Sequence, residues 1–75
     1  MKKYKYITII EQQDLYEGKT VFSVLNNKSG NELAILYYYK PWKQYVFTIA
    51  GNVEGAVFNN TCLRDVIDFM ESLTF

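Results

Sequence analysis

The chain contains no histidine, the side chain that most often serves as a general base near neutral pH and most often ligates metals. Its single cysteine, Cys62, can close no internal disulfide and has no histidine to activate it as a nucleophile. Cys62 falls near a predicted helix N-terminus, where a thiolate is favoured, but its neighbour Leu63 is apolar and the expectation is a buried structural thiol. Asp65 and Asp68, one helical turn apart, read as a solvated acidic face rather than a cation site. The four glycines form no phosphate-cradling loop. No catalytic residue, cofactor or metal is therefore assigned, and the chain is expected not to be an enzyme. Eight basic and eight acidic residues leave no net charge, and the pI near 6.1 lacks the footprint of a nucleic-acid binder, for which a value above about 9 is usual. No apolar run approaches the roughly 18 residues of a membrane span. The N-terminal K-K-Y-K-Y-I-T-I-I-E is too short and too alternating for a signal peptide. Asn59-Asn60-Thr61 matches a glycosylation sequon, and without an export signal the match is read as chance. These features together predict a cytoplasmic protein with no membrane partner.

What the chain has in quantity is aromatic and apolar surface: 17% and 49% of its 75 residues. So short a chain buries only about 60–65% of its unfolded surface, so some of this area is expected to be covered by a partner or a second copy. Six of the aromatics, with the only tryptophan and only proline, lie in residues 37–47, Y-Y-Y-K-P-W-K-Q-Y-V-F. Pro41 donates no backbone hydrogen bond and pushes Lys40 toward extended geometry. The stretch therefore reads as two antiparallel strands about a Lys40-Pro41-Trp42-Lys43 turn.

Period-two alternation places strands at residues 3–10, 20–25, 32–39 and 44–49. Residues 11–19 are polar, end near Gly18, and read as a loop; Leu15 and Tyr16 are its apolar members, placed to fold over a sheet edge. Asn26 to Asn31 has hairpin turn chemistry. Residues 50–55 form a second loop, and 56–58 are available as a short fifth strand. Alternation puts Ile7 and Ile9 on one face, with Tyr4, Tyr6 and Thr8 on the other. In the third strand Leu33, Ile35, Tyr37 and Tyr39 share a face; in the fourth, Tyr45, Phe47 and Ile49 are assigned to the core. Leu63, Val66, Ile67, Met70 and Leu73 recur as one helical stripe, with Asn59 as N-cap and Phe58 and Leu63 as a hydrophobic staple. The expected fold is α+β: residues 1–75 form one β-β-β-β-α domain, a small antiparallel sheet of four strands, or five, followed by a C-terminal helix packed on one face.

A helix with one stripe covers one face of a sheet, which leaves the other open. Tyr37, Tyr39, Lys40, Trp42 and Lys43 are the candidate partner-binding residues, because Tyr and Trp bury large area with few rotatable bonds. The alternative is a nucleic-acid or nucleotide-binding module in which Trp42 stacks a base while Lys40 and Lys43 meet phosphates. A homo-oligomer is also expected.

Asn27-Lys28-Ser29-Gly30-Asn31-Glu32-Leu33, Tyr38 to Phe47, Phe58, and Cys62-Leu63-Arg64-Asp65-Val66-Ile67-Asp68-Phe69 resemble an uncharacterised family of small bacteriophage and mobile-element proteins. That family's pattern resembles N-K-K-S-G-x-x-L, then Y-x-P-W-[KR]-Q-Y-V-F, then C-L-x-D-I-x-x-F. The likeness covers residues 26–73 and departs before the helix, where Ala50 to Gly55 replaces a more proline- and glutamate-containing loop. It implies a genomic setting rather than a mechanism: a phage accessory protein in the host cytoplasm that binds a host protein, with antiviral-defence components among the candidates.

Overall fold

The computed structural model describes residues 1–50 and 57–73. An antiparallel five-stranded open sheet is followed by one C-terminal helix, an α+β fold. The strands are β1 (Lys2–Lys3), β2 (Ile7–Tyr16), β3 (Lys19–Asn26), β4 (Glu32–Tyr39) and β5 (Gln44–Ile49), and the helix is α1 (Asn60–Ser72). Spatial order follows chain order, β1-β2-β3-β4-β5. The fifth strand is thus N-terminal, not the expected segment at 56–58. Of that segment and of the loop at 50–55, all but Ala50, Val57 and Phe58 lies outside the described residues.

The predicted strand at 3–10 is broken. The chain turns back at residues 4–6, where Tyr4 N–H donates to the Ile7 carbonyl at 2.8 Å, and Lys2 and Lys3 pair with Ile9 and Thr8. Asn27 stabilises this turn: its Nδ2 donates to the carbonyls of Tyr4 (2.8 Å) and Lys5 (3.2 Å), while Thr8 Oγ1 donates to its Oδ1.

The predicted loop at 11–19 is instead a continuation of the sheet. β2 runs to Tyr16, and Tyr16 pairs with Lys19 across a two-residue turn. Glu17 and Gly18 take φ of +50° and +80°, the left-handed pair that matches the twist of a tight hairpin. Glycine accepts this freely, whereas glutamate does not. Glu17→Asn, which creates the favoured Asn-Gly turn, should raise stability by a few tenths to about 1 kcal/mol. Its only printed side-chain tie is an exposed 3.9 Å ion pair with Lys40, of little worth. Urea denaturation of the two proteins measures the difference.

Two faces follow from the register. Ile7, Ile9, Phe22, Val24, Ala34, Leu36 and Tyr45 are buried beneath α1 with Cys62 and Val66. Tyr45 and Phe47 join this core as expected; Tyr45 Oη donates to the Thr20 carbonyl at 2.7 Å, and burial pushes its phenol pKa upward. A bulge on β4 moves Leu33 off its expected face. Val24 pairs with Ala34 but Leu25 with Glu32, so Leu33 is the extra residue and packs in the core.

Asn59 Oδ1 caps α1 by accepting from Cys62 N–H at 2.8 Å. The buried stripe is rotated from the predicted one. Cys62 and Val66 are buried, and Phe69, Met70 and Leu73 pack against the core, whereas Leu63 and Ile67 are 43% and 53% exposed. The Phe69 ring docks edge-on to Phe22 at 5.0 Å, and the small Cys62 allows close approach at the other end. Phe58 packs on Phe47 at 5.4 Å rather than serving as a staple to a buried Leu63.

Tyr4, expected on the face opposite Ile7 and Ile9, packs with the core on the flank of α1. Its phenol donates to Asp68 at 3.1 Å. Burial first, then the hydrogen bond and charge of Asp68 and the charge of Asp65, push its pKa from 10.0 up to about 12. The unfolded chain loses this proton near pH 10 and the folded chain near pH 12. The stabilisation is therefore complete below pH 10 and is lost as pH rises toward 12. The difference in stability between wild type and Tyr4→Phe should shrink over that interval, as pH-dependent urea melts would show.

Candidate interaction surface

The face away from α1 is built from the alternate residues of the same strands. On β4 these are Ile35, Tyr37 and Tyr39, opposite Thr48, Val46 and Gln44 of β5. A four-residue loop joins the two strands. Lys40–Trp42 form one 3₁₀ turn, Lys43 N–H donates to the Lys40 carbonyl at 3.1 Å, and Lys43 is left-handed at φ +53°. A type I turn closed by a left-handed residue is the usual solution at this loop length, and Pro41 presets its helical φ.

This loop brings Trp42 back over the strand. Four rings then run along the open face in edge-to-face contact: Tyr16 to Tyr37 at 5.4 Å, Tyr37 to Tyr39 at 6.4 Å, and Tyr39 to Trp42 at 5.1 Å, all with interplanar angles of 79–87°. Each such pair holds its rings by about 0.5–1.5 kcal/mol beyond area burial, so the row is preorganised. Its outer end is open, for Trp42 is 65% exposed.

Two depressions flank the row. One, about 350 Å³, is lined by Tyr16, Val21, Ile35, Tyr37 and Thr48. The other, about 280 Å³, is lined by Tyr37, Tyr39, Trp42, Val46, Phe47 and Thr48. None of these residues is charged. Charge stands at the margins, at Glu17 and Lys40 on one side. On another side is a polar cluster in which Gln12 Nε2 donates to Ser23 Oγ (2.6 Å) and Ser23 Oγ donates to Glu32 Oε2 (2.6 Å).

Of the five predicted site residues, the structure brings Tyr37, Tyr39 and Trp42 together. Lys40 sits exposed at the rim. Lys43 lies elsewhere, in a groove between β5 and the C-terminal half of α1 shared with Gln44, Tyr45, Ile67, Met70, Glu71 and Leu73. Tyr16, at one end of the row, and the floor residues Ile35, Val46 and Thr48 were not among the candidates. Tyr16 had a readable signal, the Glu-Gly step directly after it. Among the described residues there is no group of three or more His, Cys, Asp or Glu placed to hold a metal ion, and no helix long and apolar enough to cross a membrane.

No protein-family model matches the chain, and no curated protein or solved structure gives a significant match. The likeness to the phage and mobile-element family rests on the motif residues alone, and function has to be argued from the surface.

Proposed function

We propose that the chain is a non-enzymatic accessory protein of a phage or mobile element that binds a host protein in the host cytoplasm through its open aromatic face. The observation that carries this reading is the row Tyr16–Tyr37–Tyr39–Trp42, uncovered and locked ring against ring. Aromatic rings held in place before binding lose little entropy on contact and supply most of the affinity in typical protein interfaces. An uncharged floor with charge only at its margins matches the usual core-and-rim anatomy of such contacts. The genomic setting implied by the sequence motif suggests a component of antiviral defence as the class of partner.

The alternative reading needed Lys40 and Lys43 to flank Trp42 as phosphate contacts. It is weakened by the position of Lys43 in the helix-side groove and by the absence of charged residues lining the depressions. Capture from host lysate, repeated with Tyr39→Ala and Trp42→Ala, tests the main reading. One dominant protein should be recovered by the wild type and lost with either variant. Quenching of Trp42 fluorescence by single-stranded nucleic acid at low salt would instead favour the alternative.

A further inference from the structure

The two edges of the sheet differ. At one, β1 is a two-residue stub, Lys2–Lys3, and short, lysine-bearing edges resist strand addition. At the other, β5 (Gln44–Ile49) runs six residues with no charge, no proline and no bulge. Ala50 N–H donates to the Leu33 carbonyl at 3.1 Å, which sets the phase of the ladder. Gln44, Val46 and Thr48 turn their backbone groups toward β4, so the N–H and C=O of Phe47 and Ile49 point out of the sheet.

A second observation concerns the helix above. Its apolar surface is wider than the sheet beneath it. Leu63 (43% exposed) and Ile67 (53%) lie on one flank of α1, and Ile49 (45%) lies on β5. Ile67 lines the groove with Lys43, Gln44 and Tyr45, so this is the flank toward β5. The opposite flank carries Asp65 and Asp68, beside Tyr4. The uncovered apolar flank and the unpaired strand edge thus adjoin, as they would if a sixth strand were missing.

We propose that β5 is the seam of a symmetric dimer, in which β5 pairs antiparallel with β5 of a second copy and the two α1 helices meet along Leu63 and Ile67. The second copy fits by charge. β5 brings no like charges into register, and Arg64 and Glu71 stand near the two ends of the apolar flank. Antiparallel apposition therefore sets Arg64 opposite the partner subunit's Glu71 and Glu71 opposite the partner subunit's Arg64. The contact is isologous, and the lysine stub at the far edge stops growth at two copies. This seam is separate from the aromatic face, which dimerisation leaves open and doubles in extent.

Sedimentation equilibrium across the micromolar range should show the 8.8 kDa chain associating to twice that mass. Ile67→Lys should weaken the dimer by about tenfold or more. Ile49→Pro should do the same, since it removes an outward N–H without breaking a β4–β5 bond. Arg64→Glu should weaken it, and adding Glu71→Arg should restore it. Tyr39→Ala should leave it unchanged, which separates this seam from the proposed partner face. Far-UV circular dichroism checks that each variant is folded. As a readout without mutation, amide exchange at Phe47 and Ile49 should slow as protein concentration rises. A chain that stays at 8.8 kDa throughout, with these amides exchanging at a rate independent of concentration, overturns the proposal. So does a dimer indifferent to Ile67→Lys, or one broken by Tyr39→Ala.

Discussion

Leu36→Ala should cost about 2–5 kcal/mol and leave a large share of the protein unfolded at room temperature. Leu36 is fully buried and sits mid-sheet with Phe22 and Phe47 as its cross-strand partners. The large rings around it cannot easily collapse into the space vacated, so the cavity term adds to the lost transfer energy. A 75-residue domain has about 4–11 kcal/mol of total stability, and the loss is therefore a large fraction of the whole. Leu63→Ala makes the same chemical change at a position that is 43% exposed. In dilute protein it should cost under about 1 kcal/mol. Urea melts followed by far-UV circular dichroism measure both. Similar costs at the two sites would mean that α1 buries the stripe centred on Leu63 rather than the one containing Cys62 and Phe69.

The second large effect concerns binding. Tyr39→Ala and Trp42→Ala should each weaken the captured partner by about 2 kcal/mol or more, roughly thirtyfold, as central aromatic anchors do. Tyr39 matters twice, since it contributes its own surface and holds Trp42 in place at 5.1 Å. Its removal frees the indole as well, so the double variant should lose less than the sum of the singles. Neither change touches the buried cluster under α1, so stability should move little. Lys43→Ala, in the groove on the helix side, should leave partner binding unaltered.

Much of this fold is written in alternation and turn chemistry. The bounds of β4 and β5, the cap at Asn59, and the assignment of Tyr37 and Tyr39 to one face and Tyr45 and Phe47 to the other can all be read from residue patterns. Tyr16 could not be placed that way. The segment Gln12-Gln13-Asp14-Leu15 is too polar to resemble a strand, and it is one because the Glu17-Gly18 turn and the β3 ladder hold it there. The rotation of α1 was illegible for a related reason. Helical spacing admits Leu63 and Ile67 as readily as Cys62 and Phe69, and the Phe22–Phe69 ring contact that decides between them joins residues far apart in the chain. The displacement of Leu33 depends on a bulge, which alternation assumes absent. Lys43 departs from Trp42 because its backbone is left-handed, a choice that the residue type does not announce.

The most direct test of the central claim is a calorimetric titration of the purified captured partner into wild type and into the Tyr39→Ala/Trp42→Ala double variant. A functional aromatic face predicts a stoichiometric complex with the wild type and an affinity at least about thirtyfold weaker with the folded double variant. Equal affinity for the two proteins would contradict it.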